Sequence, residues 1–231
     1  MVTRDELVEL LATGFSRFLY DNFLSTESIV LTKTGTSSET KRIMELELST
    51  GILSNSTIKA RYNYNIFNPI YSSACFRLQF SDTANVRAFF GFKETANDPI
   101  FGAVGSMVEY HAGVFVEPDI LTPALGTKMY WSTGDGTSQQ KVEILGVDIT
   151  RDMIYKIQGQ KLSTFPLPQV IPYFDTFRLI TPDRIWTLRQ DNSSVLPYDT
   201  NYYIMFFLEN LENLDKNVRI KSLTYGEEYA D

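Results

Sequence analysis

The sequence holds one histidine, His111, and any Ser–His or Cys–His relay has to run through it, because only an imidazole takes and returns a proton near neutral pH. Glu109 stands two residues before it. Ser106, in Gly102-Ala103-Val104-Gly105-Ser106-Met107, lacks the Gly-x-Ser-x-Gly spacing that lifts a nucleophile onto a tight elbow. His111 is therefore expected at a strand end or in a loop, without a catalytic role. Cys75 is the single cysteine, so an intrachain disulfide is excluded, and with one histidine a zinc site of the His/Cys type is not expected. It reads as an inert buried thiol. Thr133-Gly134-Asp135-Gly136-Thr137 has the look of an acidic calcium loop but lacks the repeat of oxygen ligands, and is expected as a hairpin tip. Neither metal nor cofactor is expected. Asn55-Ser56-Thr57 and Asn192-Ser193-Ser194 fit the N-glycosylation acceptor pattern, which matters only in a glycosylating host.

Recognition of a polar ligand needs donors and amides gathered on one surface. Lys59, Arg61, Asn63, Asn65, Arg77, Gln79, Arg87 and Phe89 supply such a set, each alternating with apolar residues in three successive segments. If those segments neighbour each other in one sheet, Asn and Arg can bond sugar hydroxyls while Phe89 stacks on a ring. The same residues also suit an ordinary solvated or subunit-covered face. Consecutive strands lying in different sheets would scatter them.

The elements that must position these residues follow from hydrophobic period. Ile58, Ala60, Tyr62, Tyr64 and Ile66 share one face of Thr57 to Phe67. Ala74, Phe76, Leu78 and Phe80 repeat the pattern, as do Val86, Ala88, Phe90 and Phe92. Further strands are expected over 44–48, 112–116, 128–132, 141–149, 153–157, 176–180, 184–189, 202–209 and 217–225. Many short strands separated by turn residues define an all-β, two-sheet antiparallel jelly-roll sandwich. Two connections are unusually long for hairpins, Lys93 to His111 and Ser163 to Tyr173, and such loops are functional or packed against something.

At the other end, Thr3-Arg4-Asp5-Glu6 matches a capping box. Leu7, Leu10, Leu11, Phe15, Phe18 and Leu19 then recur at spacings of three and four, which predicts an amphipathic helix. That helix either covers an edge of the sandwich or docks on another subunit. A membrane-surface role fits least, since its polar face carries Asp5, Glu6 and Glu9. The run Thr32 to Thr40 lacks an apolar period and reads as a linker or exposed tip, so residues 1–40 are expected as a helix-bearing arm and 41–231 as the sandwich.

Composition sets limits on partners. A hydrophobic content of 43%, with Phe and Tyr at 16 and 13 residues, is enough for a large core. A net charge of -7, with no basic run longer than Lys41-Arg42, repels a polyphosphate backbone and argues against nucleic acid. No stretch reaches the roughly 20 apolar residues of a membrane span, and Met1-Val2-Thr3-Arg4 does not open a signal peptide.

Phe76-Arg77-Leu78-Gln79-Phe80, the Phe-Phe-Gly-Phe core within Val86 to Phe92, Gly113-Val114-Phe115-Val116, Tyr130-Trp131-Ser132, Thr176 to Ile180, Trp186, Tyr202 to Leu208 and Val218 to Leu223 together resemble the concanavalin A-like lectin and glucanase superfamily, in the divergent form of virion and tail surface proteins. The glucanase branch carries Glu-x-Asp-x-x-Glu on one strand. Here Glu117-Pro118-Asp119-Ile120-Leu121-Thr122 lacks the third carboxylate, and Pro118 interrupts the ladder. Because glycoside hydrolysis needs two carboxylates flanking the bond, the resemblance implies binding or assembly, not catalysis. The expectation is a non-enzymatic virion surface protein, made in the host cytoplasm, that assembles with itself or with other virion proteins through Leu7, Leu10, Leu11, Phe15 and Phe18. Cell-surface glycan is its expected ligand. A carbohydrate-binding module or adhesin domain at a cell surface is the alternative, and a glycoside hydrolase the least favoured.

Overall fold

The computed structural model of the 231-residue chain describes residues 15–21, 29–42, 45–62, 72–82, 84–118, 127–145, 148–161, 172–180, 185–189 and 202–228. Among the described residues fifteen strands, numbered in chain order, form two antiparallel sheets. The seven-stranded sheet runs β10 (Gln139–Glu143), β9 (Thr127–Gly134), β8 (His111–Pro118), β7 (Val86–Lys93), β14 (Tyr203–Asn210), β5 (Thr57–Tyr62) and β2 (Ile29–Lys33). The eight-stranded sheet runs β13 (Ile185–Arg189), β12 (Pro172–Ile180), β11 (Met153–Lys161), β6 (Ser72–Phe80), β15 (Asn217–Glu228), β4 (Glu45–Ser49) and β3 (Ser38–Arg42). β1 (Phe15–Asp21) pairs with the second half of β15, from Leu223 to Glu228.

Alternation drives this arrangement, because a strand with apolar residues at every second position has one face to remove from water. Ile58, Ala60 and Tyr62 on β5, Ala74, Phe76 and Leu78 on β6, and Val86, Ala88, Phe90 and Phe92 on β7 all enter one core. The two layers meet through aromatic rings. Phe76 of one sheet stands edge-on to Phe206 of the other at 5.3 Å, and Tyr155 of the first stands edge-on to Phe90 of the second at 4.7 Å. Such pairs add about 0.5–1.5 kcal/mol each beyond the area they bury. Trp131 is buried in the same core.

Three expectations change. The apolar stripe does not continue as a helix through Phe15, Phe18 and Leu19, which lie on strand β1 with Phe18 opposite Gly226 and Leu19 opposite Tyr225. Pairing with a long, otherwise one-sided strand outweighs the local spacing, since a strand satisfies its backbone only through a neighbour. Leu7, Leu10 and Leu11 lie outside the described residues. Thr32 to Thr40 is not a free linker: β2 ends at Lys33, β3 begins at Ser38, and the four residues between them carry the chain from one sheet to the other. Gly35 makes that passage at φ 62°, and a Cβ there would meet Ser56 Oγ at 2.1 Å. The strand expected over 141–149 ends at Glu143, and farther on Asp148 accepts hydrogen bonds from Thr150 N and Oγ1 in a side-chain-closed turn.

Candidate functional site

The outer face of the seven-stranded sheet is where sequence reasoning gathers donors. Across it, register aligns Lys59, Phe207, Phe89, Phe115 and Tyr130 in one row over five neighbouring strands. A row of rings facing outward has to be covered or used. Here residues 94–110, the connection between β7 and β8, fold back over it. Phe101 packs at 5.4 Å from the Phe115 ring and 5.7 Å from Phe207, and Met107 is buried beside Phe89, Phe115, Met205 and Phe207 in a second apolar cluster. Phe89 is fully buried there, so it is no stacking platform for a sugar.

Polar anchors hold the loop down on each side. Lys59 Nζ donates to Ala96 O at 2.8 Å and to Asp98 Oδ1. Gly102 N donates to Glu117 Oε2 at 3.0 Å, while Lys141 Nζ donates to Gly102 O at 2.9 Å and to Glu117 Oε1. The Glu117 and Lys141 side chains are each only 2% exposed, and the ammonium also lies 4.8 Å from the centre of the Phe115 ring. Glu117 is thus committed to an internal ion pair.

Beneath the same loop lies a buried polar chain that the sequence did not suggest. His111 is fully enclosed; Nδ1 is 2.7 Å from Glu109 O, and Nε2 is 2.8 Å from Ser132 Oγ. A carbonyl only accepts, so Nδ1 carries the proton and Nε2 offers its lone pair to the Ser132 hydroxyl. Burial pushes the His111 pKa down to about 4, so the ring is neutral. Gln139 Nε2 donates to Ser132 Oγ at 3.0 Å, and Gln139 Oε1 accepts from Gly105 N and Met107 N at 3.0 and 3.1 Å. Gly134 makes room for the ring, since a Cβ there would meet His111 Nδ1 at 2.5 Å. Nearby, burial lowers the Lys93 pKa. Burial alone would raise that of Glu109, but the Lys93 ammonium and the Thr95 hydroxyl hold it below the usual carboxylate range.

The outer face of the eight-stranded sheet is more open. Arg77 grips Asp152 through Nε at 3.0 Å and Nη2 at 2.8 Å, which holds that carboxylate below its usual range. Lys221, re-aimed by the register shift between Ile220 and Ser222, donates to Asp152 at 2.9 Å and to Gln79 Oε1 at 3.2 Å. Beside them a recess of about 210 Å³ is lined by Gln79, Phe80, Ser81, Thr150, Asn217 and Arg219. Arg219 meets Glu47 through Nε at 3.1 Å, which leaves its terminal nitrogens without a partner among the described residues.

The sequence-derived set is therefore divided. Lys59, Arg61, Arg87 and Phe89 stand on the seven-stranded sheet, where Arg61 lies over the Tyr203 ring at 5.0 Å and Arg87 reaches Glu209 at 3.4 Å. Arg77 and Gln79 stand on the other sheet, and Asn63 and Asn65 fall outside the described residues. Arg219 and Asn217 were missed, although they alternate with buried Val218 and Ile220 on β15 as Arg77 and Gln79 alternate on β6. Cys75 falls on β6 opposite Lys156 and Thr224. Asp135 closes its own hairpin tip by accepting from Thr137 N and Ser138 N at 2.9 and 2.8 Å. Asn55 is exposed at a turn with φ 63°, and Asn192 lies outside the described residues. Among the described residues no group of three or more His, Cys, Asp or Glu side chains is placed to hold a metal ion, and no helix is long and apolar enough to cross a membrane.

No family model matches the sequence, and no curated protein matches it. Solved structures do match in shape. The carbohydrate recognition domain of Emp47p superposes with a TM-score of 0.56 at 11% identity, covering 94% of this chain and 99% of that one. Peanut lectin gives 0.55 at 13%, covering 90% and 96%, and the Bacillus licheniformis β-glucanase gives 0.54 at 12%, covering 94% and 100%. The chain shares the concanavalin A-like, two-sheet jelly-roll fold of these three structures.

Proposed function

We propose that this chain is a carbohydrate-binding domain without hydrolytic function, and that it meets glycan on the outer face of its eight-stranded sheet. The observation that carries the reading is the recess beside Gln79 and Arg219. It gathers a guanidinium whose terminal nitrogens are unpartnered among the described residues, with an amide and hydroxyls around a concave surface, and it lies next to the Arg77–Asp152–Lys221 network that fixes its rim. The fold supports the same reading, since Emp47p contributes a carbohydrate recognition domain and peanut lectin is a lectin. The fold is also that of a β-glucanase. Glu117 favours binding over hydrolysis here, because an acid clamped by Lys141 and covered by Gly102 is not free to flank a glycosidic bond.

A glycan array with the intact chain is expected to give a defined set of ligands, with affinity falling about tenfold or more in Arg219→Ala and Gln79→Ala and little in Arg61→Ala. Silence across the array, or binding indifferent to all three substitutions, would sink the proposal. Polysaccharide cleavage abolished by Glu117→Gln would show an enzyme instead. Assembly on a virion surface, through a segment containing Leu7, Leu10 and Leu11, belongs to the same proposal on the sequence resemblance. Light scattering of the chain with and without residues 1–14 tests it, and a monomer in both forms counts against it.

A further inference from the structure

We propose that Ser132 and Gln139 undergo a self-catalysed acyl transfer, in which the Ser132 hydroxyl displaces ammonia from the Gln139 side-chain amide and leaves an ester joining β9 to β10. Each part that acyl transfer requires is in place under the 94–110 loop. The nucleophile is Ser132 Oγ, 2.8 Å from an imidazole nitrogen whose lone pair is free because the other ring nitrogen donates to Glu109 O. The electrophile is the Gln139 carboxamide. Its oxygen sits between two backbone N–H groups, those of Gly105 and Met107, which polarise the carbonyl and stabilise negative charge as it develops there. Its nitrogen lies 3.0 Å from Ser132 Oγ, so the carbonyl carbon is one bond farther along and a pivot about the held oxygen presents it to the hydroxyl.

The surroundings favour keeping the product. His111 and Ser132 are fully buried and Gln139 is 6% exposed, so bulk water has little access to an ester formed among them. Neutral His111 is in the protonation state a base requires. The competing acceptor for the Ser132 proton is Gln140 O at 3.1 Å. The transfer balances without any outside reagent. The Oγ–Cδ bond forms and the Cδ–Nε2 bond breaks; the hydroxyl proton passes through His111 Nε2 to the departing nitrogen, which leaves as ammonia. A purely structural network would keep both side chains unchanged.

The intact mass of the purified wild-type chain decides the matter without relying on any variant to fold. The expected result is a mass lower by one ammonia, about 17 Da, located in the tryptic peptide Met129–Lys141, which contains both residues. That peptide should fail to fragment between Ser132 and Gln139, and hydroxylamine should open the link. Ser132→Ala should restore the full mass. A gain of about 1 Da at Gln139 that needs both Ser132 and His111 also supports the transfer, as an ester later hydrolysed. An unmodified wild-type mass overturns the proposal, and so does any change at Gln139 that persists equally in Ser132→Ala.

Discussion

Acidification is expected to unfold this protein through His111. The imidazole titrates near 4 in the folded chain and near its ordinary 6.5 once unfolded, because burial denies the charged ring its water. Between those values the unfolded chain holds a proton that the folded chain does not. Stability contributed by the neutral ring is therefore complete above pH 6.5, falls as the pH drops through the window, and is gone by about pH 4. A gap of that width corresponds to about 3 kcal/mol. Glu94 and Glu109 lie close by and contribute slopes of their own, so the measurement is a difference. Urea midpoints of wild type and His111→Gln, followed by circular dichroism at steps from pH 7 to pH 4, are expected to converge on acidification as the wild type loses its excess. Parallel curves across the whole window would refute the assignment of a buried neutral imidazole.

Lys141→Met removes the cation that pairs with Glu117 under the loop, and is expected to cost about 3–5 kcal/mol in urea denaturation, whereas the double variant Lys141→Met with Glu117→Leu should recover most of that loss. Tyr155 Oη is buried in the core with no hydrogen-bond partner among the described residues, so Tyr155→Phe is expected to raise stability by about 1 kcal/mol, read as a higher melting temperature. An unchanged or lower value would mean that the hydroxyl has a partner.

Most of the sandwich was legible because period-two alternation reports directly on which side of a strand is buried. Thr57, Ala74 and Val86 each open runs whose described inward residues enter the core, while Tyr64 and Ile66 of the first run lie outside the described residues. The stripe from Leu7 to Leu19 misled at its far end, since spacings of three and four are compatible with a helix, yet Phe15 to Asp21 found a long partner in β15. Alternation says which side of a strand faces out but not which sheet the strand joins. That is why Arg77 and Gln79 separated from Lys59, Arg61 and Arg87. The covering loop had a signal that went unread. Phe89, Phe115, Met205 and Phe207 are all apolar at outward positions, and the long connection that precedes His111 carries Phe101 and Met107 to match them. The Ser132–His111–Gln139 chain had no signal in spacing at all, because it depends on register across three neighbouring strands.

One property of the topology bears on how the protein is made. β14 lies between β7 and β5 in one sheet, and β15 lies between β6 and β4 in the other, so the last two strands among the described residues are interior to the two layers. Residues emerging from a ribosome at about 5–20 per second would have to wait until residues 203–228 are out before either sheet can close. Until then β5, β6 and β7 present unpaired edges and uncovered rings to solvent. Pairing in both layers thereby waits on residues 203–228, and a message truncated before residue 203 is expected to yield aggregating chains.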